Sequence, residues 1–134
     1  MKTETKLKQK RAETETTQLQ KAVIDYILNY YSTDEEIKSF VGDLLQYGCQ
    51  SGMINDLVYY SDTIKFYDTY EDDIEDLITN FMEDLGIESR PLFIESLNGS
   101  AENMTQEKNL LSWFAFEETA KSLNDELKIN EDFL

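Results

Sequence analysis

The sequence predicts an all-α fold: a compact bundle of five to six helices behind a flexible basic N-terminal tail. Three observations lead there. From Thr16 onward apolar residues recur at three- and four-residue spacing. One proline and five glycines leave long uninterrupted stretches in 134 residues. No stretch alternates apolar and polar residues as a half-buried strand does. By size this is a single domain, residues 16–134. A chain of this length can bury about two-thirds of its unfolded surface, enough for a core without metal or disulfide staples.

Residues 1–15, MKTETKLKQKRAETE, contain no aromatic residue and one large apolar residue, Leu7, and read as the tail. Leu19, Ala22, Val23, Tyr26, Ile27 and Tyr30 then form one helical stripe. Thr33 with Glu36 three residues on is a capping box, and Ile37, Phe40, Val41, Leu44 and Leu45 repeat the stripe until Gly48 stops it. CQSGMINDLVYY carries a turn and a short helix. Ser61 or Asp62 can cap one further turn holding Ile64 and Tyr67. Thr69 can cap a longer helix with Ile74, Leu77, Ile78, Phe81 and Leu85 inside and Gly86 after its end. Ser89 and Pro91 start a short helix, RPLFIESL. After the loop NGSAEN, Thr105 opens the last helix. Its stripe of Trp113, Phe116, Ala120, Leu123 and Leu127 is widened by Leu110, Leu111 and Phe114, so the helix is central or shared with a second subunit. A homodimer face over Trp113–Leu127 follows from the second option.

Composition excludes more chemistry than it supports. The chain has no histidine, so no histidine base, no Ser-His-Asp or Cys-His pair and no His metal ligand. The lone Cys49, beside Gly48, reads as a small buried hydrophobe in preference to a nucleophile. The run DTYEDDIEDLITN lacks the glycine and glutamate placement of a calcium loop, and no glycine-rich phosphate loop occurs. We expect no enzyme, cofactor or metal centre; a weak surface divalent-ion site is the residual alternative. No segment reaches the ~18 apolar residues of a membrane span. With a single cysteine and no leader-like run, the expected location is a reducing cytoplasm.

Charge is the distinguishing property. Twelve basic against 28 acidic residues give −16. Residues 1–21 carry six of the basic groups and three of the acidic ones, so the remainder stands at −19. Such a field repels nucleic acid and anionic membrane and draws in cationic surfaces. The acids concentrate in YYSDTIKFYDTYEDDIED, residues 59–76. On a helix, Asp68, Glu71, Asp72, Asp73, Glu75 and Asp76 are like-charged neighbours at three- and four-residue spacing, costing roughly 1–3 kcal/mol together. The helix dipole offsets this for acids in the first turn and fades further in. From Asp56 to Asp84 there are ten acids and one lysine. At ~1.5 Å per helical residue that approaches the ~3.4 Å charge spacing of one DNA strand. Tyrosines between the acids suit partly desolvated contact and stacking by arginine. The candidate partner-binding residues are therefore Tyr60, Asp62, Asp68, Tyr70, Glu71, Asp72, Asp73, Glu75 and Asp76.

The blocks LLQYGCQSG, DLVYYSDTIKFYDTYEDDIEDL and NLLSWFAFEETA resemble a family of small acidic proteins carried by bacteriophages and mobile elements, over roughly residues 20–128. The resemblance transfers no functional residues. It implies the context of short phage proteins that block host defence, such as inhibitors of CRISPR effectors and of restriction enzymes, many of which occupy a nucleic-acid groove. The leading expectation is such an inhibitor. Its partner would be a basic nucleic-acid-binding host protein such as a CRISPR effector nuclease. The alternative is a helical phage adaptor that binds a host protein through an apolar groove or dimer face. A metal-dependent hydrolase, which would need a tight divalent-ion site, comes third.

Overall fold

The computed structural model describes residues 1–48, 60–97 and 101–134, with only the helical backbone for 60–62. Among these the fold is all-helical: α1 (Thr3–Ala12), α2 (Gln18–Tyr30), α3 (Asp34–Tyr47), α4 (Tyr60–Thr69), α5 (Glu71–Leu85), α6 (Arg90–Ser96) and α7 (Met104–Leu127), then a 3-10 turn at Glu131–Phe133. Seven helices stand where five to six were expected. The short helix expected around 54–58 and Cys49 lie outside the described residues. The chain divides into two compact units, Met1–Met53 with Phe116–Leu134, and Ile54–Ala115.

The extra helix of the first unit is the expected tail. Residues 3–12 are nearly all good helix formers, with Glu4 in the first turn and Lys10 and Arg11 in the last, as the helix dipole favours. Ten residues alone are marginal in water, so α1 depends on what it touches. Leu7 is fully buried. The Thr3 N–H, unserved by its own N-cap Lys2, donates to Asp34 Oδ1 of α3 at 3.1 Å. Arg11 forks onto Asp25 of α2 (2.6 and 3.0 Å), Lys10 reaches Glu126 (2.8 Å), and Lys6 Nζ donates to the Leu127 carbonyl at 3.1 Å.

Helices α2 and α3 both begin with reciprocal capping boxes, Thr17/Gln20 and Thr33/Glu36. Leu19, Val23, Ile24 and Ile27 of α2 and Ile37, Phe40, Val41 and Leu44 of α3 are buried with Phe116, Ala120 and Leu123 of α7. The chain end returns to α3: Asn130 Nδ2 donates to the Lys38 carbonyl (2.9 Å), held by a mutual pair with Asn124. Gly42 permits this approach, since a Cβ there would meet Asn130 Nδ2 at 2.6 Å.

In the second unit Tyr70 is the single residue between α4 and α5. Thr69 does not cap α5; its hydroxyl turns back to the Lys65 carbonyl at 2.7 Å, which carries α4 through to Thr69. The N-cap of α5 is Tyr70, without a side-chain bond, so Glu71, Asp72 and Asp73 supply the negative first turn. Gly86 ends α5 at φ 69°, ψ 28°, a left-handed conformation a side chain would resist. Ser89 caps α6 as predicted. The core of this unit is an aromatic triad, Phe81, Phe93 and Phe114, in three edge-to-face contacts at 5.0–5.8 Å. Leu85, expected inside, is 60% exposed at the last turn.

The broad apolar face of α7 is explained by its place in both units, its first half in the second and its remainder in the first. Leu110, Leu111, Phe114, Phe116, Ala120 and Leu123 are buried, while Trp113 and Leu127, the ends of the expected homodimer face, are half-buried. Leu7→Ala should destabilise the protein by about 2–5 kcal/mol in urea unfolding. Lys8→Ala on the exposed side of the same helix should change it by less than ~0.5 kcal/mol.

Candidate functional site

Helix α5 contains seven acidic residues and no basic one in 15 positions. Its inward stripe is Ile74 and Ile78, flanked by the half-buried Leu77 and Phe81. The opposite side is set by the same periodicity. Asp72, Asp76 and Glu83 fall at i, i+4 and i+11 and are exposed, with exposed Thr79 and Asn80 completing the file. Over ~22 Å of helix this face presents carboxylates and neutral polar groups only. Among the described residues no ion pair reaches Asp72, Asp76 or Glu83.

The predicted site residues separate into three groups. Glu71, Asp72 and Asp76 are exposed and Asp73 is half-buried at the edge of the same surface. Asp68 is exposed but paired, accepting from Lys108 Nζ at 2.7 Å; the same ammonium lies 5.6 Å from the Tyr67 ring centre. Tyr70 is half-buried and packs on Phe66, ring centres 5.1 Å apart. The side chains of Tyr60 and Asp62 lie outside the described residues.

Glu75 is drawn into an internal pair and is about one-third exposed. Its carboxylate accepts a two-pronged contact from Arg90, Nη1 to Oε2 at 3.0 Å and Nη2 to Oε1 at 2.5 Å, and the Tyr67 hydroxyl donates to Oε1 at 2.6 Å. Arg90 Nε also reaches Glu107 Oε1 at 3.1 Å. One guanidinium thus joins α5, α6 and α7, and the Tyr67 hydroxyl brings in α4. The Arg90 hydrogen bonds hold Glu75 below the usual carboxylate range, assisted by Tyr67 and opposed by burial. Burial, then the bond to Glu75, pushes the Tyr67 phenol well above its ordinary value. Nearby, a buried polar seam ties α4 to α7: Thr63 Oγ1 donates to Asn109 Oδ1 (2.6 Å) and Ser112 Oγ to the Thr63 carbonyl (2.5 Å).

Pairing matters because the unit is so unbalanced. Ile54–Ala115 carries 14 acidic residues and three basic ones, and two of the three, Arg90 and Lys108, are engaged internally. The pairs of Lys8, Lys10 and Arg11 are with Glu4, Glu13, Glu126 and Asp25, all in the first unit. The Arg90 hub was missed in the sequence because nothing local marks it. The available signal was scarcity: one arginine in a 62-residue acidic stretch, adjoining a helix cap.

A family model described as "Domain of unknown function (DUF7222)" matches residues 13–129. The chain belongs to this family. The matched region takes in α2 to α7 and both units, while α1 precedes it. No curated protein and no solved structure matches the chain. No helix among the described residues is long and apolar enough to cross a membrane. Nor do three or more cysteine, aspartate or glutamate side chains among them converge as metal ligands.

The depressed Glu75 value fixes a pH dependence. A carboxylate held low in the folded state adds stability above its unfolded value of about 4.3 and loses it as pH falls through the folded value. Arg90→Ala should therefore destabilise by roughly 1–2 kcal/mol at neutral pH, allowing for solvent screening of a pair about one-third exposed. The gap between variant and wild type in urea unfolding should shrink below about pH 4.

Proposed function

We propose that this protein acts without catalysis, as an acidic mimic of a nucleic-acid strand that occupies a Lys/Arg-lined groove of a DNA- or RNA-binding protein. The observation that carries the reading is the outer face of α5, where Asp72, Asp76 and Glu83 stand exposed with no cation interleaved, in a unit of 14 acids and three bases. With Glu75 withdrawn and Asp73 half-buried, five exposed acids, Glu71, Asp72, Asp76, Glu83 and Asp84, remain on ~22 Å of helix, about one per 4.5 Å. That approaches the ~3.4 Å per charge of a single DNA strand. Removing like charges from one another on binding adds to the attraction, since the cluster is self-repelling when free. The resemblance to phage-borne acidic proteins makes a bacterial defence nuclease, a CRISPR effector first and a restriction enzyme next, the proposed owner of the groove, met in the bacterial cytoplasm.

An adaptor that binds through apolar contact is favoured by one observation of its own. Leu85, Leu92 and Met104 are each more than half exposed in the second unit. The two readings separate by salt. Capture from a bacterial lysate should yield a nucleic-acid-binding protein that is released by added salt or by duplex DNA. Joint substitution of Asp72, Asp73 and Asp76 by Asn and Glu83 by Gln should weaken that capture by roughly 8- to 30-fold, at ~0.3–0.5 kcal/mol per contact. Undiminished, salt-insensitive capture by this variant, abolished by Leu92→Asp, would replace mimicry with the adaptor.

A further inference from the structure

A second feature lies in the first unit and does not depend on the α5 reading. Tyr31 closes α2, its N–H bonded to the Ile27 carbonyl at 2.9 Å. Its ring stacks on Phe40 of α3, centres 4.6 Å apart and planes 27° from parallel. Phe40 is 4% exposed and forms a rigid back wall, while Tyr31 keeps part of its ring in solvent. Helical spacing places Glu35, Ser39 and Asp43 in one file on α3 at i, i+4 and i+8, with Glu36 and Phe40 in the next. These six residues line a cavity of about 430 Å³.

The lining has an aromatic wall, an acidic rim and no cation. Glu36 Oε1 is engaged by its own capping box, accepting from Thr33 and Ser32. Glu35 and Asp43 remain as acceptors, and among the described residues no ion pair reaches them. Burial first, then the charges of Asp43 and Glu36, raise the Tyr31 phenol above its ordinary value, so negative potential converges on that ring.

We infer that this pocket receives an arginine side chain of a protein partner, its guanidinium stacked on Tyr31 and donating to the carboxylate of Asp43, with Glu35 adding negative charge further along the same file. The choice of arginine follows from the chemistry of the walls. A guanidinium is planar, weakly hydrated and forked. It can lie flat on a ring and grip a carboxylate through two parallel donors at once, which a compact, strongly hydrated ammonium does less well. Asp43, whose charge acts on the Tyr31 ring, is the direct acceptor; Glu35 lies two turns away, ~12 Å along the helix, and acts through its field.

Amide NMR titration of the full chain with N-acetyl-arginine methylamide tests this, with the uncharged N-acetyl-citrulline methylamide and choline as comparisons. The arginine probe should give saturable shifts centred on residues 31–43 and the citrulline probe none of similar size. Glu35→Gln with Asp43→Asn, which keep shape and fold, should weaken binding about fivefold or more, and so should Tyr31→Leu. Asp72→Asn with Asp76→Asn should leave it unchanged, which separates this pocket from the α5 surface. Equal response to citrulline, tighter binding of choline, shifts centred on α5, or no saturation would each overturn the assignment.

Discussion

Arg90 carries the constraint on which the second unit depends. A segment of 14 acids and three bases must bring four helices together, and burial of Phe81, Phe93 and Phe114 supplies the attraction. Burial has no preference for which face of α5 turns outward beyond its apolar stripe. The guanidinium adds that preference. By gripping Glu75 and Glu107, with Tyr67 donating to the same Glu75 oxygen, it removes two carboxylates from mutual repulsion and pins the rotation of α5. Glu71, Asp72, Asp76, Glu83 and Asp84 are then left exposed. An acidic outer surface is a consequence of one cation serving the inner one.

The first unit solves the same problem differently. It holds nine of the chain's twelve basic residues and pairs α1 against α2 and the end of α7 through Arg11 and Lys10. Three of the nine, Lys8, Lys10 and Arg11, form ion pairs inside the same unit. The net charge of −16 is therefore unevenly placed, about two-thirds of it on Ile54–Ala115. Long-range attraction to a basic partner would be dominated by that unit. Short-range specificity would need shaped features such as the Tyr31 pocket, because charge alone steers encounter more than it selects a partner.

Some of this was legible at the level of residues. The capping box at Thr33/Glu36, the stop at Gly86, the Ser89–Pro91 start and the Ile74/Ile78 stripe are local patterns, and they appear where the sequence places them. The exposed acids Asp72 and Asp76 follow from the same periodicity. The reading of Thr69 as a cap failed because its hydroxyl had a competing acceptor four residues back, the Lys65 carbonyl, and the backbone stayed helical.

What the sequence determined by itself is whatever a few adjacent residues can decide: the all-α class, most helix starts and stops, the inward stripes and the acidic bias of residues 59–76. What only the tertiary structure decided depends on partners far along the chain. Residues 3–12 become a helix because Asp34, 31 residues on, serves the Thr3 amide and Glu126, 116 residues from Lys10, pairs with it. Glu75 is drawn into an internal ion pair because Arg90 arrives from the start of α6. Periodicity assigns a side chain to a face of its own helix; it cannot say which distant charge will be waiting there.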